Sequence, residues 1–178
     1  VAAKLRNLGY EGNISLIGAE TAPPYQRPPL SKKYMLGEME LERLYLRPID
    51  FYETNNIALR LGTKVDSIDT TEQSISVQGE TLSYDNLILT TGSWPRRLPA
   101  KIGGDLAGVY SMRDLTDADA MANEFQEGRR TLIIGGGYIG LEAAAVAAKK
   151  RVNVTLVEMA DRILRRVAAP QTSDYFLA

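Results

Sequence analysis

Three glycines with the spacing GxGxxG, Gly135, Gly137 and Gly140, stand between a β-rich run at Thr131–Ile134 and an alanine-rich stretch. In such a context the first glycine permits a tight turn and the second lets the backbone approach a diphosphate. The third lets a helix pack closely on a strand. Unpaired N–H groups at the positive end of the helix then hold the phosphates. The alternative is a glycine turn selected only for packing.

An acidic residue strengthens the phosphate-binding interpretation. Glu158 follows Gly135 by 23 positions, at the end of the next predicted strand. A carboxylate there accepts hydrogen bonds from both hydroxyls of an adenosine ribose, and it repels a 2′-phosphate. Strand, turn, helix and acid together predict a dinucleotide site that favours NADH over NADPH. Arg162 and Arg166 follow the acid and are candidates for contact with the adenosine phosphate of NAD.

Composition excludes several classes of function. The 178 residues carry 21 basic and 22 acidic side chains, so no net positive field attracts nucleic acid. Cysteine and histidine are both absent, which argues against a thiolate or imidazole metal site, a disulfide and a redox dithiol. Redox chemistry would therefore need a bound cofactor. No apolar run reaches the roughly 18 residues of a membrane span, so we expect a soluble cytoplasmic protein without bound metal.

The elements that position these residues indicate two nucleotide-binding halves. A strand, helix, strand, acid pattern is complete near Glu158, and its second half, including a strand at Asn13–Ile17, recurs before Glu20. The predicted fold class is α/β, with tandem Rossmann-like three-layer domains and a small antiparallel β excursion. Because the first half lacks its opening strand and residues 171–178 start a new helix, we expect a chain truncated at both ends.

Four further segments are predicted between these halves. The proline-rich residues 21–40 should form an extended surface loop leading into a short helix after Leu30 or Ser31. Residues 56–83 alternate as antiparallel strands, and Leu87–Leu89 should be a buried strand. A linker follows at residues 95–104. A helix should run from about Leu115 to Glu127, capped by Asp114 or Thr116.

The motifs "PPYQRPPLSK", "YSMRDLTDA" and "IGGGYIGLE", in this order, resemble the NADH-dependent, FAD-containing ferredoxin reductases of the putidaredoxin reductase and rubredoxin reductase type. The resemblance covers essentially the whole chain. It implies that residues 1–112 belong to an FAD-binding domain and residues 113–178 to an NAD-binding domain. It also implies hydride transfer from NADH to FAD, then single-electron transfer to a ferredoxin or rubredoxin that supplies an oxygenase.

Other functions remain open at this point. One is a different NADH-dependent flavoenzyme of the same fold, such as an NADH oxidase, a nitrite reductase subunit or an apoptosis-inducing-factor-like protein. Another is a non-catalytic dinucleotide-binding module. The absence of cysteine argues against the disulfide reductase branch of the fold, which needs a dithiol between flavin and substrate.

The resemblance implies roles at the flavin for two charged residues. Lys32 corresponds to a lysine beside the isoalloxazine ring, where a cation stabilises the negative charge that develops on reduction. Glu142, in the first helical turn after the glycines, corresponds to a glutamate near both the nicotinamide and that lysine. We therefore predict a Lys32–Glu142 pair that links the FAD half to the NAD half. Arg27, in the same loop as Lys32, either pairs with a phosphate or holds the loop.

The remaining predicted cofactor contacts are weaker. Glu20, or its neighbour Ala19, should face the FAD adenosine ribose. The Val65 backbone should meet the adenine, although a core strand valine fits equally well. Arg113 should lie at the flavin or form an interdomain salt bridge. The other implied contacts are Thr91 and Gly92 near FAD, and Tyr138 and Ile139 in the NAD turn. Trp94 and Tyr138 are expected to be packing residues rather than electron relays.

Overall fold

The computed structural model describes residues 1–177, which form two compact units. The first unit comprises Val1–Tyr25 and Tyr45–Ser93, and the second comprises Gln26–Leu44 and the chain from Trp94 onward. In chain order the helices are α1 (Ala2–Asn7), α2 (Leu41–Leu44), α3 (Ile49–Thr54), α4 (Leu115–Glu124), α5 (Tyr138–Lys149) and α6 (Pro170–Leu177). The strands are β1 (Ile14–Ile17), β2 (Ile57–Arg60), β3 (Val65–Asp69), β4 (Ser74–Val77), β5 (Glu80–Ser83), β6 (Arg130–Ile134) and β7 (Asn153–Val157).

The first unit contains two small sheets. Strand β1 pairs in parallel with β2, from Ile14 opposite Ile57 to Ile17 opposite Arg60. Strands β3, β4 and β5 form an antiparallel sheet in that order. The inward residues of its central strand, Ile75 and Val77, are buried. The antiparallel excursion predicted from period-two alternation is therefore confirmed for β3, β4 and β5. It is wrong for β2, which pairs in parallel with β1, because alternation predicts a strand but not the direction of its neighbour.

The predicted buried strand Leu87–Leu89 is wrong. Residues 86–99 form no helix or strand, and Leu87, Ile88 and Leu89 are 37%, 56% and 63% exposed. An apolar run becomes a strand only where a neighbouring strand supplies backbone partners, and within residues 1–177 strand β1 pairs with β2 alone. The hydrophobic pattern carries no information on whether such a neighbour is present.

The second unit is built on a parallel strand, helix, strand arrangement. Strands β6 and β7 pair from Arg130 opposite Asn153 to Ile134 opposite Val157, and α5 connects them. Small side chains on α5, among them Ala143 and Ala147, are buried and allow the helix to approach the sheet closely. The predicted strand before the glycines and the helix after them are thus confirmed.

Helix α4 begins where the sequence predicts. Asp114 is the N-cap, and its side chain accepts a hydrogen bond from the Asp117 backbone N–H. The Asp117 carboxylate in turn accepts from the Asp114 backbone N–H, which completes a capping box. The helix ends at Glu124 rather than near Glu127, because the chain turns at Phe125 to bury that aromatic ring.

The proline-rich loop leads into a short helix, as predicted. This kinked segment, Leu30–Tyr34, is here called the lysine segment, and its backbone leaves helical geometry at Lys32 (φ −131°, ψ −112°). Leu30 and Met35 are 2% and 1% exposed. Met35 packs in one cluster with Phe125 and with the α5 residue Val146. Burial of each large apolar side chain contributes about 1.5–3 kcal/mol, so the lysine segment is fixed to α5.

The two compact units do not coincide with the predicted FAD-binding and NAD-binding parts of the chain. Residues 26–44 belong to the same compact unit as β6, α5 and β7, although they precede residue 112 in the chain. The division into an FAD-binding part, 1–112, and an NAD-binding part, 113–178, concerns which nucleotide each part binds and stays a prediction. No helix within the described residues 1–177 has the length and hydrophobicity that crossing a membrane requires.

Candidate dinucleotide-binding site

The first glycine shapes the turn between β6 and α5. Gly135 has φ +112°, a value that residues with a Cβ rarely adopt. Its N–H donates to the carbonyl of Val157 at 2.8 Å, which extends the β6–β7 pairing into the turn. The chain therefore leaves the sheet at a fixed angle and enters α5 three residues later.

Gly137 and Gly140 differ in the space around them: Gly137 faces open space, whereas Gly140 is tightly packed. A Cβ placed on Gly137, the N-cap of α5, would have no atom within 4 Å, and no side chain caps the helix. A Cβ placed on Gly140 would lie 2.0 Å from the carbonyl oxygen of Gly135. Gly140 therefore permits close packing of helix on turn, whereas Gly137 leaves open space in front of the first N–H groups of α5. This is the space in which the sequence predicts a diphosphate.

Glu158 faces the glycine turn from the end of β7. Its Oε1 accepts from the Ala160 N–H at 2.8 Å, and its Oε2 accepts from the Gly136 N–H at 2.7 Å. The Ala160 bond and then the Gly136 bond are the main causes that hold the pKa of this carboxyl below its ordinary value of 4.5. The carboxylate is ionised at neutral pH, and each oxygen keeps a lone pair for a ribose hydroxyl.

The two arginines predicted to contact NAD, Arg162 and Arg166, differ in their hydrogen bonding. The guanidinium of Arg162 donates to the Ser173 hydroxyl at 2.7 Å and to the carbonyls of Arg165 and Ala168. These bonds stabilise the loop before α6, and the predicted contact of Arg162 with the NAD phosphate stays a prediction. Arg166 is exposed, and its positive charge also lowers the pKa of Glu158. Its contact with NAD stays a prediction.

A second charged cluster lies on the same helix, one turn beyond the glycines. Lys32 Nζ is 2.8 Å from Glu142 Oε1, so the predicted pair is present as a contact within one compact unit. The hydroxyl of Ser31 donates to the other oxygen, Oε2, at 2.5 Å. Ser31 was not identified as a site residue from the sequence, and no local signal distinguishes it, because its partner lies 111 residues further along the chain.

Residues 1–178 match the family described as pyridine nucleotide-disulphide oxidoreductase. The chain belongs to this family. It is 45% identical over 176 residues to a ferredoxin–NAD(P)+ reductase of Sphingomonas sp. and 44% identical over 179 residues to putidaredoxin reductase of Pseudomonas putida. These alignments cover 98% and 99% of this chain but 42% of each relative. The chain thus spans less than half the length of these relatives.

The fold agrees with a solved structure of the family. The crystal structure of the covalent putidaredoxin reductase–putidaredoxin complex matches with a TM-score of 0.94 and 43% identity, over 99% of this chain and 43% of that one. The predicted α/β class with tandem Rossmann-like domains is confirmed by this similarity, as is the resemblance to reductases of this type.

Two arginines predicted to lie at FAD are brought together in the second unit of this family member. Arg27 Nη1 donates to the carbonyl oxygen of Arg113 at 3.1 Å, and the Arg113 N–H donates to Asp117 Oδ2 at 2.8 Å. Arg27 therefore holds its loop to the start of α4, which was one of its two predicted roles. The contacts of both guanidinium groups with FAD stay predictions.

The predicted FAD contacts of the first unit lie in three places. Glu20 follows β1, where its carboxylate accepts from the Tyr25 hydroxyl, whereas neighbouring Ala19 is exposed. Val65 is half-buried at the start of β3. Thr91 and Gly92 are exposed, and Gly92 has φ +69°. The roles of these residues at FAD stay predictions.

The aromatic residues are placed differently from the expectation. Trp94 is 85% exposed and Tyr138 is 58% exposed, so the expectation that both are packing residues is wrong. Tyr138 and Ile139, which is 54% exposed, begin α5 and project at the glycine turn rather than into the core. The predicted contacts of Tyr138 and Ile139 with NAD stay predictions.

Proposed function

We propose that this chain is the nucleotide-binding part of a flavoprotein reductase that passes electrons from NADH through FAD to a ferredoxin or rubredoxin, which supplies an oxygenase. The observation that carries the proposal is the pairing of Lys32 with Glu142 at 2.8 Å, on the helix whose first turn is the dinucleotide turn. The names of the Sphingomonas and Pseudomonas relatives support the same class of acceptor.

The NAD side of the site explains a preference for NADH. The open space before Gly137 accepts the diphosphate, and Glu158 accepts the two ribose hydroxyls. A 2′-phosphate would meet an ionised carboxylate that two backbone N–H groups already stabilise. We therefore propose that NADH is the favoured donor, although a relative is named for NAD(P)+.

The flavin side depends on the lysine segment. A bound FAD would supply the hydride and single-electron chemistry, and the protein would supply orientation and electrostatics. Lys32 has a side chain 49% exposed, so its ammonium can face both Glu142 and a bound ligand. Because Met35 and Leu30 fix the segment in the core, this cation keeps its position. The residues present therefore fit the role predicted for Lys32.

The test measures flavin reduction in the protein purified with FAD. Anaerobic mixing with NADH should bleach the flavin, and Lys32→Ala or Glu142→Ala should slow the bleaching by about tenfold to a hundredfold. Lys33→Ala is the matched control, because Lys33 is an exposed neighbour without a place in the pair. Unchanged rates in both variants would remove the pair from the mechanism.

The acceptor is tested by a second mixing step. Reduced protein should transfer electrons to a ferredoxin or rubredoxin much faster than to oxygen. Rapid reaction with oxygen alone would favour an NADH oxidase, and failure to oxidise NADH with any artificial acceptor would favour a non-catalytic binding module. Because NADH is produced inside cells, we propose that the protein works in the cytoplasm.

A further inference from the structure

Ser31 lies closer to the Glu142 carboxylate than Lys32 does, and it is the most buried of the three residues. Its residue is 6% exposed, and its hydroxyl donates to Glu142 Oε2 at 2.5 Å. Lys32 contacts the other oxygen, Oε1, at 2.8 Å. The two consecutive residues of the lysine segment thus hold the two oxygens of one carboxylate.

The two contacts differ in how firmly they fix Glu142. The side chains of Lys32 and Glu142 are 49% and 27% exposed, and an ion pair with that much solvent access holds its partners loosely. The hydroxyl of Ser31 is shielded from water, so water cannot easily replace it as a donor. The serine bond therefore selects one orientation of the carboxylate, and that orientation presents Oε1 to the lysine.

The position of Ser31 is itself set by packing. Its neighbour Leu30 is 2% exposed, and Met35, four residues on, packs against the α5 residue Val146. Glu142 lies on α5, one turn before Val146, so both ends of the serine bond belong to rigid, mutually packed elements. A hydroxyl at this place cannot drift away from the carboxylate without disturbing the core.

We propose that Ser31 is a positioning residue for flavin reduction: its hydroxyl orients Glu142, and Glu142 thereby holds Lys32 in the place where the reaction needs a cation. This inference rests on the proposed function. Ser31 needs no contact with either cofactor and acts only through the carboxylate. Removal of the hydroxyl leaves Oε2 to rotate toward water and deprives Lys32 of a fixed partner.

The first test is kinetic and uses the protein purified with FAD. Ser31→Ala should slow flavin reduction by about tenfold, while the Kd for NADH changes by less than about threefold, because the NAD turn is untouched. Ser31→Thr keeps the hydroxyl and should restore most of the rate. Tyr34→Phe is the matched control, since it removes another hydroxyl of the lysine segment, one that donates to Asp119 at 2.7 Å, and it should leave the rate unchanged.

Action through Glu142 is tested by combining variants. In a Glu142→Ala background, Ser31→Ala should cause no further loss of rate. An equal loss in both backgrounds would overturn the proposal, because Ser31 would then act without the carboxylate. A rate for Ser31→Ala within twofold of the wild-type rate would also overturn it.

A readout independent of activity separates this proposal from the proposed function. The urea midpoints of the wild-type protein, Ser31→Ala, Glu142→Ala and the double variant form a cycle that should show coupling between the two residues. If the wild-type flavin is not reduced by NADH, the proposed function fails, whereas the cycle still reports whether Ser31 fixes Glu142. Coupling without any change of rate would make Ser31 purely structural, and the proposal would be wrong.

Discussion

Replacement of Gly137 by alanine should separate nucleotide binding from folding. A Cβ at this position meets no atom within 4 Å, and the residue has φ −83°, which alanine adopts without strain. Alanine is a poorer N-cap than glycine by several tenths of a kcal/mol, but it reduces the entropy of the unfolded chain by about 0.4–1 kcal/mol. These two effects oppose each other, so the free energy of unfolding should change by less than about 1 kcal/mol.

The effect of Gly137→Ala on NADH binding should be much larger. The added methyl group enters the space through which a diphosphate reaches the N–H groups at the start of α5. Loss of one or two hydrogen bonds to a charged group costs about 2–4 kcal/mol. At 1.36 kcal/mol per tenfold, the Kd for NADH should rise by roughly thirtyfold to a thousandfold.

Gly140→Ala provides the contrast. Its Cβ would lie 2.0 Å from the Gly135 carbonyl oxygen, whereas 3.4 Å is ordinary contact, so helix and turn must separate by about 1.4 Å. Overpacking of this kind costs about 1–3 kcal/mol. Titration calorimetry with NADH and urea unfolding of both variants measure the two effects. Tight NADH binding by Gly137→Ala would refute the assignment of the glycine turn as the diphosphate site.

Three further variants test other parts of the structure. Backbone N–H groups lower the pKa of Glu158 below its ordinary 4.5, so the carboxylate should stabilise the fold above pH 4.5 and lose this contribution as the pH falls through the lowered pKa. The difference in Tm between the wild-type protein and Glu158→Gln should therefore shrink in acid. A difference that grows in acid would contradict this. The same variant should bind NADPH nearly as well as NADH. Arg6→Ala removes donors to four carbonyls, including those of Asn55 and Gly12, and should destabilise the first unit by roughly 2–3 kcal/mol in urea unfolding, with exposed Lys4→Ala as control. The Ser173 hydroxyl is fully buried and donates to the Ile163 carbonyl, so Ser173→Ala should lower the free energy of unfolding by about 1–3 kcal/mol and leave the Kd for NADH unchanged. Because Ser173 also accepts a hydrogen bond from Arg162, weaker NADH binding by this variant would support a contact between Arg162 and the nucleotide.

The sequence was sufficient wherever one local rule determined the structure. The glycine spacing, the strand before it and the distance to Glu158 each have a mechanical reason, and the structure places all of them as predicted. The start of α4 was equally accessible, because aspartate side chains at the N-cap and third helical position satisfy free N–H groups. The Lys32–Glu142 contact required the family resemblance, since 110 residues separate the two positions in the chain.

Tertiary contacts account for what the sequence did not reveal. The run Leu87–Leu89 reads as a buried strand, but burial depends on a neighbouring strand that no local pattern encodes. The sequence also did not reveal that Arg162 donates to carbonyls and to Ser173. Ser31 was overlooked because its partner is on a distant helix, and a serine in a loop is usually a solvated residue.

The most direct test of the account is a crystal structure of the protein with NAD+ bound. We expect the diphosphate at the first turn of α5, within hydrogen-bonding distance of the N–H groups after Gly137, and both adenosine ribose hydroxyls on Glu158. Density for the nucleotide at any other surface, or a Glu158 side chain that keeps only its bonds to Gly136 and Ala160 while the ribose lies elsewhere, would contradict the assignment on which the reductase proposal depends.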